Sequence, residues 1–366
     1  MIRILQVMGG LNRGGAETMI MNFYKTIDRN EVQFDFITHD KDKMEYKDEI
    51  ENMGGKVYLF PKFKGYNIIT YKNTWKNFLE NHPEYKILHS HLRSYASIYF
   101  PIAKKYGLKT IIHSHSTSNG KGFKSIVKHL LQKPLAKQAD YLFACSKEAG
   151  EWLYGSEKIK DDNYFILKNS IDTNKYRYNE NVRKKYRKDL NLEDKLVLGH
   201  VGRLSRPKNH IFLLKVFKKI LEKNSNTVLV IVGDGDLKEE INKNIKDLNL
   251  EDKVYMLGSR DDIECILQAM DVFLFPSLWE GLPVAVVEAE ASGLACILSD
   301  NITDEVKLLE NLKYLPIDQG EDIWVDTVLN MDKTRIKDGP EIVSSKGFDI
   351  IETSKWLLKF YKNLLS

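Results

Sequence analysis

The stretch Asp271-Val-Phe-Leu-Phe-Pro-Ser-Leu-Trp-Glu-Gly-Leu-Pro-Val-Ala-Val-Val-Glu288 decides the fold of this chain. Its first residues are a short apolar run ending at Phe275 and Pro276, the pattern of a strand buried on both faces of a parallel sheet. Gly281 and Pro283 mark a turn, and Pro283 suits the first helical position because its missing N–H is no loss there. A helix is therefore expected from near Val284. A strand that runs through a short loop into a helix is half of a βα unit. Side chains on a helix lean toward its N-terminus, so Glu288 points back toward the loop that carries Glu280. The two carboxylates then flank N–H groups that favour an anion, and each carboxylate accepts two hydrogen bonds from a vicinal diol. Acidic residues near a helix start are also ordinary partners of its dipole. The local pattern leaves both readings open.

Outward from this stretch the same alternation of apolar runs and longer helical patterns repeats. In the first half strands are expected near 2–8, 33–38, 56–60, 87–90, 110–114, 141–144 and 164–167. A second series follows the charged stretch 180–195, with strands near 196–201, 228–232, 254–257, 272–275 and 295–299. At 366 residues the chain exceeds one ordinary core. The prediction is an α/β protein of two doubly wound, Rossmann-like parallel-sheet domains facing across a cleft, spanning 1–173 and 174–349, with a linker near 172–195. Ligands then belong at the carboxyl ends of the strands. The tail places Trp356, Leu357, Phe360, Tyr361 and Leu364 on one helical face, which must be buried. It packs either on its own domain or back on the first, completing it with residues 350–366.

Composition narrows the classes of function. A net charge of +4 does not suit a dedicated nucleic-acid binder. The three cysteines, Cys145, Cys265 and Cys296, lie in separate apolar runs without metal or redox spacing, as in a reduced cytoplasmic protein. No span long enough to cross a membrane and no leader pattern is visible. Residues 101–139 hold eight Lys and no Asp or Glu, interleaved with Phe123, Ile126, Val127, Leu130 and Leu131. A basic amphipathic segment of this kind, Lys104 to Lys137, is either a solvated helix face or a peripheral contact with the inner, anionic face of a membrane.

Further motifs sit at strand ends. Gly9-Gly-Leu-Asn-Arg-Gly-Gly-Ala-Glu17 follows the first strand and opens a helix, so its glycines allow close approach of a phosphate or sugar. It fits neither the dinucleotide fingerprint nor the P-loop. Gly199-His-Val-Gly-Arg-Leu-Ser-Arg-Pro-Lys-Asn-His210 places Arg203 and Lys208 on the loop leaving the first strand of the second domain. A forked guanidinium and a mobile ammonium there can neutralise a diphosphate without metal. His89-Ser-His91 and His113-Ser-His115 each put two imidazoles on one strand face, but no carboxylate or thiol lies nearby to complete a metal site, so none is expected. Asp234-Gly-Asp236, interrupted by glycines and followed by a charged helix over 237–248, reads as a turn with an N-cap rather than a cation site. No hydrolase signature accompanies these motifs.

In this order the motifs resemble the retaining glycosyltransferases of family four, of the two-domain GT-B architecture, and within them the bacterial capsule and exopolysaccharide branch. The matching runs are 9–17, His-Ser-His (113–115), Ala-Cys-Ser-Lys-Glu-Ala (144–149), Lys-Asn-Ser-Ile-Asp (168–172), Gly-Arg-Leu-Ser-Arg-Pro-Lys-Asn (202–209), Val-Gly-Asp-Gly (232–235) and the run from Glu280 to Glu288. The resemblance implies a metal-independent transferase without a cofactor, which moves a sugar from a nucleotide-sugar donor, UDP most readily, to a glycan or lipid-linked acceptor. It gives Arg203 and Lys208 to the donor diphosphate and Glu288 to the ribose. Glu280 falls to the sugar hydroxyls, and the Gly281, Leu282, Pro283 and Val284 backbone to the distal phosphate. His115 falls beside the donor sugar, Gly14 and Gly15 near the phosphate, and Gly258 and Arg260 near the base. Ser170 replaces a frequent glycine, and Pro207 replaces a frequent glutamine, which stiffens its loop. A nucleotide-sugar 2-epimerase of the same fold, and a non-catalytic sugar-nucleotide-binding scaffold, are the alternatives.

Overall fold

The structure, a computed structural model, describes residues 1–116 and 123–365. It divides into two units, Met1–Ser170 with Ile350–Ser366, and Ile171–Asp349.

The strands of the first unit are β1 (Ile2–Val7), β2 (Val32–Thr38), β3 (Val57–Leu59), β4 (Ile87–Ser90), β5 (Lys109–Ser114), β6 (Tyr141–Ala144) and β7 (Tyr164–Ile166). They pair in the order β3-β2-β1-β4-β5-β6-β7, every pair parallel. Strands covered by helices on both faces cannot show a polar side, so Ile4, Leu5, Ile87, Leu88, Ile111 and Ile112 are all fully buried. The order reverses between β1 and β4, and at such a point the loops at the carboxyl ends diverge and leave space for a ligand.

The tail belongs to this unit. Its helix Ile350–Asn363 buries Leu357 and Tyr361 completely. The Tyr361 hydroxyl meets His89 Nδ1 at 2.7 Å, and its ring stands edge-on to Phe34 at 6.0 Å. Burying these two side chains stabilises the attachment by roughly 1.5–3 kcal/mol each.

The second unit holds β8 (Leu196–Val201), β9 (Thr227–Val232), β10 (Val254–Met256), β11 (Val272–Phe275), β12 (Ala295–Ser299) and β13 (Leu312–Leu315). The order is β10-β9-β8-β11-β12-β13, again parallel, with its reversal between β8 and β11. Sequence reading missed β13. It is an edge strand with Lys313 exposed, so it lacks the continuous apolar run of an inner strand.

The charged stretch expected to be a linker is instead part of this unit. The helix Glu180–Asp189 lies against the helix Ile263–Ala269 through Arg183 and Arg187. Arg183 pairs with Asp271 at 2.5 Å and donates to the Gln268 and Met270 carbonyls, while Arg187 reaches Asp271 and the Ala269 carbonyl. Asp271 also accepts from the Val197 N–H at 2.8 Å, which ties the start of β8 to the start of β11. Residues 171–173 join the unit as well, through the Ile171–Asp349 bridge and the Thr173 hydroxyl bonded to Asp349 at 2.7 Å.

Candidate functional site

The reversal in the second unit brings two loops together that are far apart in sequence. One leaves β8 and carries Arg203 to Lys208; the other leaves β11 and carries Glu280. The Leu278 N–H donates to the Pro207 carbonyl at 2.7 Å and pins the loops to each other. Lys208 Nζ then lies 2.8 Å from Glu280 Oε1, with the two side chains only 15% and 14% exposed. A carboxylate offers about four acceptor sites, so one ammonium leaves Glu280 capacity for further donors. The lysine stem crosses Gly202, where a Cβ would sit 3.1 Å from Cε, and the ammonium stands 4.4 Å over the Phe275 ring. An ammonium held on an aromatic face is attracted by the ring quadrupole.

Glycine is needed beside this loop for a second reason. Gly233, at φ +142°, packs so tightly that a Cβ would fall 2.0 Å from the Gly202 carbonyl. The loops after β8 and β9 can therefore touch backbone to backbone.

Below the pair the helix Val284–Ala291 begins, with Pro283 at its N-cap rather than in its first turn. No side chain caps it. Its first N–H groups thus face the Glu280 loop, and a Cβ on Gly281 would meet nothing within 4 Å. Glu288, one turn inside, is partly buried and accepts from the Tyr176 hydroxyl at 2.8 Å. Loss of solvation pushes its carboxyl up to about 7, opposed by that hydrogen bond and by Lys175, and assisted by Glu264. Tyr176 lay outside every motif read from the sequence. It sits on the short 3-10 turn Thr173–Tyr176, and no local pattern links it to a residue so remote in the chain.

Arg203 stands apart from this cluster. Its guanidinium is 68% exposed and 3.4 Å from Asp236, so it shares the loop with Lys208 but does not touch Glu280 or Glu288. Asp234 does not cap the following helix, Lys238–Asp247, whose N-cap is Leu237. It accepts from the Gly235 N–H at 2.7 Å and closes its own turn. Gly258, at φ +66°, accepts from the Gly233 N–H at 2.8 Å and has open space where a Cβ would go. Arg260 is engaged by Asp262 through two bonds of 2.8 and 2.6 Å. The arginine holds the Asp262 carboxyl down at about 2, with help from the Tyr186 hydroxyl.

The first unit carries the other expected residues. Gly14 is the N-cap of the helix Gly15–Thr26, again without a side-chain cap. A Cβ on Gly15 would meet nothing, whereas one on Gly14 would strike Glu17 at 2.5 Å. The two histidine pairs form one group, because β4 and β5 are neighbours and their register sets His89 beside Ile111. Ring centroids lie 4.6 Å apart for His89 and His91, 5.2 Å for His91 and His113, and 4.0 Å for His113 and His115. Burial keeps all four imidazoles neutral. Sequence reading found no third ligand for either pair; strand adjacency supplies one, since ring nitrogens of His89, His91 and His113 lie within 4.8 Å of one another. Lys121, part of the basic segment, lies outside the described residues.

Two doubly wound units, one of which sets a cation and two acids at an uncapped helix start, define the class of the GT-B nucleotide-sugar enzymes. The comparisons agree. Residues 13–175 match the family model described as Glycosyltransferase Family 4, and residues 182–315 match Glycosyl transferases group 1. EpsF of Bacillus subtilis (strain 168), assigned as a glycosyltransferase, is 35% identical over 332 residues, which cover 89% of this chain and 86% of that one. The UDP-Gal:alpha-D-GlcNAc-diphosphoundecaprenol alpha-1,3-galactosyltransferase of Escherichia coli is 33% identical over 239 residues, 62% of this chain and 61% of its own. Among solved structures, Anabaena Alr3699/HepE in complex with UDP superposes with a TM-score of 0.80 at 18% identity, covering 99% of this chain and 100% of that one. The chain belongs to the family-four glycosyltransferases.

Proposed function

We propose that this glycosyltransferase moves a hexosyl or N-acetylhexosaminyl group from a UDP-sugar to a glycan or lipid-linked saccharide in surface polysaccharide assembly, with retention at the anomeric carbon. The observation that carries the reading is Lys208 held at 2.8 Å from Glu280 above an uncapped helix whose next turn presents Glu288. In this reading Lys208, Arg203 and the N–H groups from Gly281 to Val284 hold the diphosphate, Glu288 takes the ribose diol, and Glu280 positions sugar hydroxyls. Gly258 and Arg260 lie toward the base. His115 serves the sugar and Gly14 with Gly15 the phosphate, from the first unit. The galactosyltransferase relative, whose name gives a UDP-sugar donor and a diphosphoundecaprenol-linked acceptor, supports both substrate classes.

The chemistry follows from charge. The C1–O bond to the diphosphate breaks, negative charge grows on the leaving oxygen, and fixed cations with helix N–H groups stabilise it. The acceptor oxygen bonds to C1 on the same face, and its proton passes to a leaving-phosphate oxygen. No second catalytic carboxylate, resident cofactor or phosphate-bound metal is then required.

Contact with an anionic membrane from the cytoplasmic side is part of the proposal. Ile126, Val127 and Leu130 are exposed on the helix Phe123–Gln132, beside a cavity of about 720 Å³ lined by Ile68, Lys72, Lys76, Pro101, Lys105 and Leu131. No described helix is long and apolar enough to cross a membrane.

The test incubates the full chain with a panel of UDP-sugars, with and without polyprenyl-diphosphate saccharides, and follows UDP release and product anomeric configuration. Acceptor-dependent release with retention, without added divalent cation, is expected. Inverted product or strict dependence on added Mg²⁺ would overturn the mechanism. No transfer with any donor of the panel would remove the donor assignment.

A further inference from the structure

We propose that His89, His91 and His113 bind one borderline divalent transition cation, for which Zn²⁺ is the probe, inside the first unit. Both His89 and His113 are fully buried and His91 is 9% exposed. His89 Nδ1 is taken by the Tyr361 hydroxyl at 2.7 Å, which leaves Nε2 without a partner. The outer nitrogen of His91, Nε2, is held by Gln6 Oε1 at 3.0 Å, and its Nδ1 turns inward to share a bond of 2.7 Å with His115 Nε2. Neither nitrogen of His113 has a partner, nor does His115 Nδ1.

Buried polar atoms are almost always satisfied, so several orphaned nitrogens within one cluster call for an occupant. His89 shows the arrangement of a metal-binding imidazole, one nitrogen oriented by an outer hydrogen bond and the other left for the ion, while His91 is oriented by Gln6 and would exchange its inner bond to His115 for the ion. Tyr361 and Gln6 supply those outer bonds. The ligand set selects the cation: three neutral imidazoles without a carboxylate suit Zn²⁺ or its neighbours and not Mg²⁺ or Ca²⁺, which need oxygen. Zn–N bonds of ~2.0–2.1 Å place tetrahedral ligands about 3.4 Å apart. Ring nitrogens that lie within 4.8 Å of one another would draw together on binding the ion. A water takes the fourth position. None of the three ligands is given a role in the donor reading, although His115, which that reading gives to the sugar, is bonded to His91 at 2.7 Å; zinc content is read without any donor, so the two readings fail separately.

Zinc content of the purified, chelator-treated full chain is measured after reloading, alongside titration with Zn²⁺ and visible spectroscopy with Co²⁺. One equivalent of Zn²⁺ per chain is expected, with tetrahedral Co²⁺ absorption free of thiolate charge transfer. His89→Ala with His113→Ala should abolish it, and Tyr361→Phe should weaken it about 10–100-fold. Failure to bind Zn²⁺, stoichiometric binding unchanged in the double variant, or a thiolate band pointing to a cysteine overturns the proposal. If the double variant does not fold, the wild-type Co²⁺ spectrum and Tyr361→Phe decide. A cluster that holds only water gives the first of these overturning results.

Discussion

Donor affinity should fall with pH below neutrality, and Glu288 should be the cause. Desolvation raises this carboxyl to about 7, so near pH 7 half the molecules carry a proton on the group assigned to the ribose. An ionised carboxylate accepts from both hydroxyls of a diol, whereas the protonated form loses one acceptor site. The sign follows directly: the competent form is the ionised one, fully present above the raised value and lost as pH falls through it. Affinity scales with the competent fraction, so the apparent Kd rises about tenfold per pH unit below the midpoint. Between about pH 8 and about pH 5.5 the loss is roughly 30-fold, or ~2 kcal/mol.

Calorimetric titration with a UDP-sugar measures this, because its diphosphate stays fully ionised throughout. The groups acting on Glu288 are Tyr176, Lys175 and Glu264. Tyr176→Phe removes a bond that favours the ionised form and should move the break to higher pH, while Glu288→Gln should bind weakly with no break. A flat wild-type profile refutes the reasoning, as does an unchanged slope in Glu288→Gln.

Lys208→Ala should weaken UDP-sugar binding at least tenfold, ~1.4 kcal/mol by calorimetry, and Glu280→Gln added to it should cost less than the sum of the two single changes because the side chains share one ion pair. Independent additive losses would place their roles in separate sites. Asp271→Asn strips the partner from Arg183 and Arg187, which are 19% and 12% exposed, so urea unfolding should show a loss of about 3–5 kcal/mol. Donor affinity of the folded fraction should not change. Glu290 is buried, accepts from the Leu308 and Leu309 N–H groups through Oε1, and is raised from 4.5 to about 8 by desolvation. It therefore withdraws stability as pH rises through that window, on the order of 5 kcal/mol in full. Glu290→Gln should gain on wild type from about pH 5 to about pH 9, and an equal difference at both ends would contradict the assignment.

What could be read from the chain alone was whatever is written locally. Val272–Phe275 announces a buried strand because both its faces are covered, and Gly281 with Pro283 announces the turn that follows. Lys208 and Glu280 could be named for the same reason, each being a charge on a loop between an apolar run and a helix. Local signals failed where a contact depends on strand order. Tyr176 meets Glu288 only because the turn at Thr173–Tyr176 lies against the helix Val284–Ala291. The helix Glu180–Asp189 looks like a solvated spacer by composition, and only the position of Asp271 shows why its arginines are fixed.

Topology accounts for both groups of chemistry in the same way. In the second unit β8 lies beside β11, with β9 and β10 to one side and β12 and β13 to the other, so the loops leaving β8 and β11 cannot be covered by a crossover helix between them. Lys208 and Glu280 meet in that gap because the strand order reverses there. In the first unit β4 lies between β1 and β5, which sets Gln6, the pair His89 and His91, and the pair His113 and His115 on three adjacent strands or strand ends. Period-two alternation turns each pair to one face. Parallel register then turns two separate pairs, neither sufficient to hold an ion, into a single cluster, with Tyr361 of the returning tail at its edge. The tail helix thus does more than cover apolar surface: its buried Tyr361 hydroxyl orients a histidine, so a truncation before Ile350 removes a supporting bond of the cluster together with the packing of Leu357.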